Sequence, residues 1–206
     1  LTTIHTNVDV LLSHPDASIS EEEKWLYYIK TEAGRMTRLT NDLLYLARLD
    51  NDRDSILKTV FSLSEAVQTV LLTMEAVVFE KKLTLAEEIE EGLTMAGNSD
   101  QIKQLAMILL DNAVKYTPEG GRITVRLQRS DKRTLFSVAN TGEPIPEEMR
   151  QKIFDRFYRA DQSRARQSGG YGLGLAIAKA ICVQNHAQIS VSCLNGENTF
   201  LVVFSH

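Results

Sequence analysis

The sequence has little cysteine, few aromatic residues and no long run of apolar residues. Its two cysteines, Cys182 and Cys193, form no CxxC motif and match no pair of histidines, which argues against a disulfide scaffold or a zinc site. No apolar stretch approaches the ~18 residues that a membrane span requires, and no charged segment followed by a hydrophobic stretch marks a signal peptide. Because the chain starts at Leu1 without methionine, we expect it to be a fragment of a longer protein.

Neither sign of charge dominates the chain. Its 206 residues include 23 lysines and arginines against 27 acidic residues, for a net charge of -4. The bulk composition therefore gives no reason to expect a nucleic-acid or anionic-membrane partner. With 43% hydrophobic and 24% charged residues, the chain has the composition of a globular protein of one or two domains.

The N-terminal segment has the pattern of a helical hairpin. Apolar residues spaced three and four apart predict a first helix that ends at His14-Pro15, because proline cannot continue it. Ser20 and Glu23 match a capping box and predict the start of a second helix. Six of the seven heptad seam positions in this second helix are apolar, the positions being Trp25, Ile29, Glu32, Met36, Leu39, Leu43 and Leu46.

The predicted second helix is about thirty residues long, twice the length of the first, so the first helix cannot cover all of its apolar seam. A second copy of the chain can cover this seam, and we therefore expect a homodimer formed through the hairpin. The alternative, an intramolecular bundle, needs partner helices that this segment does not contain. The charged sequence NDRDS at 51–55 predicts a hinge, which gives a hairpin domain at 1–54 and a second domain at 55–206.

The second domain mixes strands and helices without a strict strand-helix-strand rhythm. A capping pair at Ser62 and Glu65 opens a helix to about Phe79, and Asn195-Gly196 predicts a tight turn between the last two strands. The remaining predicted elements are strands at 83–89, 123–127, 135–139, 189–194 and 199–204, and helices at 100–116 and 175–183. This order predicts an α+β fold, a two-layer α/β sandwich with a largely antiparallel sheet.

The sequence SGGYGLGLAIAK places Gly169, Gly170, Gly172 and Gly174 close together and then opens into a helix. Glycines let backbone N–H groups face a ligand, and a helix N-terminus adds partial positive charge, so this combination suits a phosphate. A dinucleotide-binding fold needs a strand directly before the glycines, and a P-loop needs GxxxxGK; the sequence predicts neither. A merely flexible loop is the alternative interpretation.

The sequence DNAVKYTPEGG ends a predicted helix whose polar stripe carries Asn112 and Lys115. The asparagine amide can offer an oxygen to a hard cation, and the lysine can reach phosphate oxygens. A solvated polar face is the alternative. Further along, VANTGEPIP puts Asn140 before a glycine turn, and IFDRFYR places Phe154 and Phe157 beside two arginines. We expect these phenylalanines to anchor the start of a lid segment.

Taken in order, these four segments resemble the nucleotide-binding boxes of the sensor histidine kinases of two-component systems, which share an ATPase superfamily with DNA gyrase and heat-shock chaperones. DNAVKYTPEGG resembles the asparagine box, NTGEPIP the first glycine box, IFDRFYR the phenylalanine box and GGYGLGLAIAK the second glycine box. The resemblance implies an ATPase sandwich of the histidine kinase and gyrase type, preceded by a helical hairpin that dimerises.

The resemblance also implies a site for ATP and Mg²⁺. Asn112 would hold the magnesium, Lys115 would contact the phosphates, and Tyr116 would flank the nucleotide. Asn140 would accept a hydrogen bond from the adenine amino group, and Arg159 is a candidate for neutralising charge at the γ-phosphate. The other residues that the resemblance assigns to the nucleotide are Gly142, Phe157, Gly170, Gly172, Leu173 and Gly174.

The sequence departs from the family pattern at several positions. Where the family has a second asparagine, or a water-activating glutamate in its hydrolysing members, this chain has Ile108, which can neither polarise water nor bind metal. Asn140 replaces the usual aspartate and accepts a hydrogen bond without charge assistance. Pro144 replaces the second glycine of its box. Ile108 argues against an ATP-hydrolysing machine of the gyrase type.

The implied function is transfer of the ATP γ-phosphoryl group to a hairpin histidine, and from there to an aspartate in the receiver domain of a response regulator. LTTI resembles the segment after the family's HELRTPL motif, so the acceptor is expected about six residues upstream of Leu1; His5 has no adjacent carboxylate to serve as its base. We expect a cytoplasmic portion of a membrane-bound sensor, anchored through missing upstream segments. Two alternatives stay open: a regulator with weak kinase activity that acts as a phosphatase or scaffold, and a gyrase-type ATPase.

Overall fold

The structure is a computed structural model that describes residues 1–51, 59–159 and 171–205. The chain divides into two compact units, Leu1–Tyr45 and Leu46–His206. Helix α1 spans Thr2–Leu12, and helix α2 spans Glu23–Asn51 and therefore contributes residues to both units. Among the described helices, none has the length and hydropathy that a membrane crossing requires.

The first helix ends where the sequence predicts. The backbone N–H of Ser13 donates to the carbonyls of Asp9 and Val10, each at 3.1 Å, and its hydroxyl donates to the Val10 carbonyl at 2.6 Å. These bonds satisfy carbonyl groups that the last turn of a helix leaves without partners. The predicted stop ahead of Pro15 is confirmed.

The entrance to α2 differs from the prediction. The amide and the hydroxyl of Ser18 both donate to the Glu21 carboxylate, at 2.7 and 2.8 Å, and the Ser20 hydroxyl lies 3.0 Å from that of Ser18. The helix itself begins at Glu23. The predicted capping pair of Ser20 and Glu23 is wrong by two residues, because a turn precedes the helix and Ser20 lies inside it.

The heptad seam is only partly covered within the first unit. Seam residues from Trp25 to Leu39 are half-buried, whereas Leu43 is 41% exposed. The other exposed large apolar residues of this unit are Leu1, Leu12, Ile19, Leu26, Tyr27, Tyr28 and Leu44. The described residues of the first unit therefore leave apolar surface in contact with water.

The second unit combines strands and helices. In chain order its described strands are β1 (Thr59–Ser62), β2 (Thr84–Ile89), β3 (Thr94–Gly97), β4 (Arg122–Ser130), β5 (Arg133–Thr141), β6 (Ala187–Leu194) and β7 (Glu197–Ser205). Its described α-helices are α3 (Leu63–Glu80), α4 (Ser99–Tyr116) and α5 (Gly174–Gln184), and short 3₁₀ turns lie at Glu147–Met149 and Lys152–Phe154. The strands and helices predicted from periodicity are present, and most of the strands are longer than predicted.

The main sheet has the strand order β2-β4-β5-β7-β6. Strands β2 and β4 are parallel and the other neighbours are antiparallel, which confirms the predicted, largely antiparallel sheet. Asn195 and Gly196 join β6 to β7 with φ angles of 52° and 79°, the left-handed pair that a two-residue hairpin turn needs. Along β7, buried and half-buried residues alternate because successive side chains point to opposite faces.

The three helices of the second unit pack on one another and on the sheet. Helix α3 starts as predicted, with the Ser62 hydroxyl accepting the Glu65 amide at 3.2 Å. Helix α4 has the most deeply buried face, since Ile102, Leu105 and Leu109 are all 0% exposed. Sheet and helices thus form the two layers of a sandwich around one apolar core.

A small antiparallel sheet of β1 and β3 was not predicted. Ser64 ties the chain beside it, because its hydroxyl donates to the Glu90 carbonyl at 2.7 Å and accepts the Leu93 amide at 3.1 Å. Both strands have four residues, which is too short for an alternation of apolar and polar residues to stand out.

The end of α2 belongs to the second unit. Leu46 and Leu49 are 2% and 6% exposed, and the side-chain amide of Gln184 donates to the Leu49 carbonyl at 2.8 Å. Arg156 donates to both carboxylate oxygens of Asp50, at 2.9 and 2.7 Å. The predicted boundary between 54 and 55 lies outside the described residues and stays a prediction.

Candidate functional site

Helix α4 positions the two polar residues that the sequence pattern singles out on it. Its start is capped by Asn98, whose side-chain oxygen accepts two amides of the first turn at 2.9 and 3.2 Å. Its middle is held by the fully buried Leu105 and Leu109. Asn112 and Lys115 are half-buried and, being three residues apart, lie on the same side of this anchored helix.

The end of strand β5 lies against the end of α4. Asn140 is 2% exposed, and its Nδ2 donates to the Thr141 carbonyl at 3.1 Å, so its Oδ1 is the atom that can accept a further bond. A Cβ at Gly142 would come within 2.9 Å of the backbone oxygen of Tyr116. The loop therefore needs glycine here, because it approaches the α4 backbone too closely for a side chain. The Tyr116 side chain is 50% exposed.

The two phenylalanines of the third segment have different surroundings. Phe154 is 8% exposed and packs edge-to-face on Phe200, with ring centroids 6.3 Å apart. Phe157 is 58% exposed and has a positive φ of 62°, and its amide donates to the Gly172 carbonyl at 3.0 Å. The Phe154 ring is therefore fixed in the core, whereas Phe157 is connected through its backbone rather than its ring; the segment that both were expected to anchor continues outside the described residues, so that expectation stays a prediction.

The second glycine segment contacts both the phenylalanine segment and α4. Gly172 has a φ of 72°, and a Cβ there would come within 2.6 Å of the Tyr158 carbonyl oxygen and 3.2 Å of the Arg159 side chain. Gly174 begins α5, and a Cβ there would lie 3.5 Å from Cγ2 of Ile108, an ordinary contact distance. Gly172 is therefore required by both its backbone angle and its close neighbours.

The segment contains two more residues that the sequence assigns to the nucleotide, Leu173 and Gly170. Leu173 is 1% exposed, so its side chain lies in the core and only its backbone can face a ligand. Gly170, like Gly169, lies outside the described residues, so its predicted place at the nucleotide stays a prediction.

Positive charge gathers around Lys115. Burial lowers the pKa of the Lys115 ammonium below its ordinary range, and the charges of Arg159 and Lys81 lower it further, while Asp111 opposes the shift. The Lys115 Nζ lies 5.3 Å from the centroid of the Tyr116 ring, and the Lys81 Nζ donates to a backbone carbonyl of α4 at 3.4 Å. Cations that disfavour one another are stabilised by a shared anion, and a phosphate fits this cluster.

Three contacts bring the four segments together. The loop after β5 lies against the end of α4, Gly174 lies against Ile108 in the middle of α4, and the Phe157 amide of the phenylalanine segment donates to the Gly172 carbonyl. The arrangement offers an amide acceptor at a buried position, glycine backbone at the start of a helix, and cations. Those groups suit the base and the phosphates of a nucleotide.

The metal chemistry of the site rests on one amide. In the described part of the chain, no group of three or more His, Cys, Asp and Glu side chains is placed to hold a metal ion. Mg²⁺ keeps several waters and is usually bound through one or two carboxylates together with substrate phosphates. The amide oxygen of Asn112 can take the place of one such ligand but brings no negative charge, so the phosphates would have to supply it.

Two residues of interest were not predicted from the sequence. Lys81 follows the end of α3, far along the chain from the other site residues, and no local pattern marks it. Asn198 is 4% exposed and lies on the core-facing side of β7, together with Phe200 and Val202. A polar residue among alternating apolar positions indicates a buried, hydrogen-bonded side chain, so the alternation in the sequence could have revealed Asn198.

Residues 97–205, more than half of the chain, match the family described as histidine kinase-, DNA gyrase B-, and HSP90-like ATPase. The chain belongs to this ATPase family. Sensor histidine kinase YkoH of Bacillus subtilis is 38% identical over 177 residues, which cover 86% of this chain and 38% of YkoH. Sensor histidine kinase CusS of Escherichia coli O157:H7 is 34% identical over 203 residues, which cover 98% of this chain and 42% of CusS. The chain thus spans about two fifths of the length of these relatives.

Solved structures of the ATPase family have the same fold. The catalytic domain of histidine kinase ThkA is similar with a TM-score of 0.65 at 27% identity, over 72% of this chain and 95% of that domain. Acinetobacter baumannii histidine kinase AdeS is similar with a TM-score of 0.77 over 99% of this chain and 93% of the AdeS chain; at 19% identity, this likeness shows the fold alone. The predicted fold class, a histidine kinase and gyrase type of sandwich preceded by a helical region, is confirmed.

Proposed function

We propose that the chain is the catalytic core of a sensor histidine kinase, which binds ATP and transfers its γ-phosphoryl group to a histidine on the helical hairpin. From that histidine the group passes to an aspartate in the receiver domain of a response regulator. The names of the relatives YkoH and CusS support this proposal. The fold neighbour ThkA has been solved with the response regulator protein TrrA, and the fold neighbour ShkA with AMPPNP.

The observation that carries the proposal is the convergence of α4, the loop after β5 and the second glycine segment. These pieces are far apart in sequence, yet a Cβ at Gly142 would lie 2.9 Å from the Tyr116 backbone oxygen at the end of α4, and one at Gly174 would lie 3.5 Å from Cγ2 of Ile108 in the middle of α4. Close approach of glycine backbone at two places, near a cluster of cations, supports a phosphate-bearing ligand at this site.

At the base end, the Oδ1 of Asn140 would accept a hydrogen bond from the adenine amino group. Gly142 would let the loop pass close to the base, and the half-exposed Tyr116 would flank it. Phe157 is assigned to the same site through its bond to Gly172, rather than through burial of its ring.

At the phosphate end, Lys115 and Arg159 would neutralise the phosphate oxygens. The backbone of Gly172, Leu173 and Gly174 would face the phosphates at the start of α5, and Gly170 is assigned with them from the sequence alone. Asn112 would hold Mg²⁺, which, when bound, supplies further charge neutralisation at the phosphates. The protein's part is positioning and charge neutralisation rather than a covalent nucleophile in the sandwich.

A regulator with weak kinase activity is a second candidate, and two residues favour it. Ile108 places an apolar side chain against Gly174, at a position where a polar residue would add a group beside the magnesium. Asn140 accepts a hydrogen bond without the charge of a carboxylate. Such a protein would hold ATP or ADP and act mainly as a phosphatase or scaffold for the response regulator. Ile108 also lacks the carboxylate that a gyrase-type ATPase uses to activate water.

Radiolabelled ATP with magnesium distinguishes these functions. A chain lengthened upstream of Leu1 is incubated with the nucleotide, and label on the protein is tested for its stability in acid and base. Label that is lost in acid and kept in base, and that Lys115→Met abolishes, is expected for the kinase. Bound but unreacted ATP contradicts the kinase and supports the regulator, and steady release of phosphate without labelled protein supports the ATPase.

We further propose that the hairpin domain, 1–54, pairs with a second copy of itself, while 55–206 forms the catalytic domain. The exposed apolar side chains of the first unit support pairing, because they gain by being covered. The natural protein would be a membrane-bound sensor with this portion in the cytoplasm. Sedimentation analysis is expected to give a dimer whose mass falls to that of a monomer when residues 1–45 are removed.

A further inference from the structure

Asn198 lies outside all four segments, yet the structure places it beside the proposed base-binding end of the site. It is 4% exposed and stands directly opposite Asn140 in the pairing of β7 with β5. Directly opposed residues in neighbouring antiparallel strands share one face of the sheet. Two buried carboxamides therefore sit side by side in a region whose other buried positions are mainly apolar.

The Asn198 carboxamide is bonded at both ends to the loop that follows β5. Its Oδ1 accepts the Ile145 amide at 3.2 Å, and its Nδ2 donates to the Glu143 carbonyl at 2.9 Å. The Ile145 carbonyl in turn accepts Nε of Arg150 at 3.2 Å and the thiol of Cys193 at 3.6 Å. The loop is thus held by side chains from β7 and β6 and by Arg150, which directly follows the turn at 147–149.

The position of this loop decides how close Gly142 comes to the base-binding residues. The Gly142 amide donates to the Gly196 carbonyl at 3.2 Å. A Cβ on Gly142 would lie 2.9 Å from the Tyr116 backbone oxygen and 3.4 Å from Nδ2 of Asn140. Gly142 therefore runs close to both Asn140 and the end of α4, and a shift of the loop would change both distances.

We propose that Asn198 is a positioning residue for recognition of the purine base. It fixes the loop from Gly142 to Ile145 and, through that loop, the carboxamide of Asn140, whose Oδ1 then faces the exocyclic amino group. The inference rests on the proposed function, because it requires ATP to bind here. A loop that is already held by the protein need not be ordered by the ligand, which reduces the cost of binding.

The test compares ATP with inosine triphosphate, which carries an oxygen in place of the adenine amino group. Calorimetry gives the Kd of each nucleotide, with magnesium, for the unaltered chain, Asn198→Ala and Asn198→Asp. Asn198→Asp keeps an acceptor for the Ile145 amide but turns a second oxygen toward the Glu143 carbonyl. Thr199→Ala is the matched control, because Thr199 is the next residue of β7 and points to the opposite face.

Both Asn198 variants are expected to bind ATP about tenfold more weakly, the effect of losing one or two buried hydrogen bonds. Inosine triphosphate is expected to be affected less, so that the preference for ATP shrinks, while Thr199→Ala keeps the preference of the unaltered chain. Hydrogen exchange at the Ile145 amide is expected to speed up in Asn198→Ala. If that variant does not fold, as judged by thermal melting, Asn198→Asp decides the matter.

Variants that keep the affinity and the preference of the unaltered chain overturn the inference and leave the proposed function standing. An equal loss of affinity for both nucleotides also overturns it, since that result indicates a structural role without a part in base recognition. If the unaltered, folded chain binds no ATP, the proposed function fails and the inference fails with it.

Discussion

Helix α2 carries leucines in both units of the chain, and these leucines meet different surroundings. In the first unit, Leu43 and Leu44 are 41% and 55% exposed, whereas in the second unit Leu46 and Leu49 are 2% and 6% exposed. The helix and the residue type are the same, so the difference lies in what each unit packs against them. In the described residues, the second unit supplies two sheets and three more α-helices, and the first unit supplies α1 and the greater part of α2.

The second unit therefore completes its own apolar core, whereas the first unit does not. Burying a leucine side chain contributes about 1.5–3 kcal/mol, so the uncovered leucines of the first unit are a source of free energy for association. The candidate site draws its described residues from the second unit. Nucleotide binding is therefore expected to survive changes that abolish pairing of the hairpin.

The largest expected effect comes from shortening the leucines of α2. Leu46→Ala is expected to lower the free energy of unfolding of the second unit by about 2–5 kcal/mol, because it leaves a cavity in a closed core. Leu43→Ala removes the same atoms one turn earlier and is expected to cost that unit less than about 0.5 kcal/mol. Urea denaturation measures both free energies of unfolding. Equal losses for the two variants would contradict the claim that Leu46 is in a complete core and Leu43 is not.

Lys115→Met is expected to weaken ATP binding and to raise the melting temperature of the nucleotide-free protein. The variant is expected to bind ATP about 10- to 150-fold more weakly, since a charge-assisted hydrogen bond contributes ~1.5–3 kcal/mol. Without nucleotide it is expected to melt at a higher temperature, because it removes a half-buried cation beside Arg159 and Lys81. Lys103→Met is the matched control, since this lysine of α4 is 41% exposed and makes only a 4.0 Å contact with Asp100; it should leave ATP affinity unchanged and the melting temperature nearly so. A lower melting temperature for Lys115→Met would contradict the account of the cation cluster.

The pH dependence of Lys115 follows from the same cluster. Its pKa is lowered in the fold, so between that lowered value and the ordinary lysine value the unfolded chain binds more protons than the folded one. Stability without nucleotide should therefore rise with pH across this alkaline window, and ATP affinity should fall as the ammonium loses its proton. Both trends should be absent in Lys115→Met, and a flat affinity profile in the unaltered chain would exclude a phosphate contact by this ammonium.

Comparing Gly172→Ala with Gly120→Ala distinguishes the effect of backbone strain from the effect of a steric clash at the site. Both glycines have a positive φ, 72° and 76°, so each substitution carries a strain of about 1–2 kcal/mol. A Cβ at Gly172 also collides with the Tyr158 carbonyl, whereas nothing lies within 4 Å of one at Gly120. We expect Gly172→Ala alone to weaken ATP binding, by about tenfold or more, as measured by calorimetry. Equal affinities in the two variants would remove Gly172 from the site.

The smallest expected effect concerns the ion pair between Asp50 and Arg156, at the end of α2. Their side chains are 49% and 53% exposed, and exposed pairs contribute about 0.2–1 kcal/mol. Asp50→Asn should lower the free energy of unfolding by that amount at low salt and by less at 1 M salt. A loss as large as that of Leu46→Ala would show that charge, rather than apolar burial, holds this end of the helix in the second unit.

The sequence was informative where one local pattern determines the structure. The buried face of α4 follows from the spacing of its apolar residues, and the hairpin turn at Asn195-Gly196 follows from the left-handed angles that these two residues tolerate. The glycines at 142 and 172 could be singled out as well. Why each must be glycine became clear only from the backbone oxygens that approach them.

Patterns failed where contacts between distant residues decide the structure. The sheet of β1 and β3 depends on pairing between short segments with little periodicity of their own. Ser20 lost its predicted role because Ser18 and Glu21 form the competing hydrogen bonds in the turn before α2. Lys81 reaches the cation cluster only through packing of α3 on α4, which no local motif encodes.

The most direct test of the central claim follows backbone amide signals by NMR while ATP and magnesium are added to the chain. If the converging segments form one site, signals at 112–116, 140–145 and 172–175 should shift together, with a single Kd that calorimetry reproduces. Signals at 24–44, in the first unit, should stay in place. Absence of binding by folded protein, or shifts confined to one of the three segments, would contradict the account.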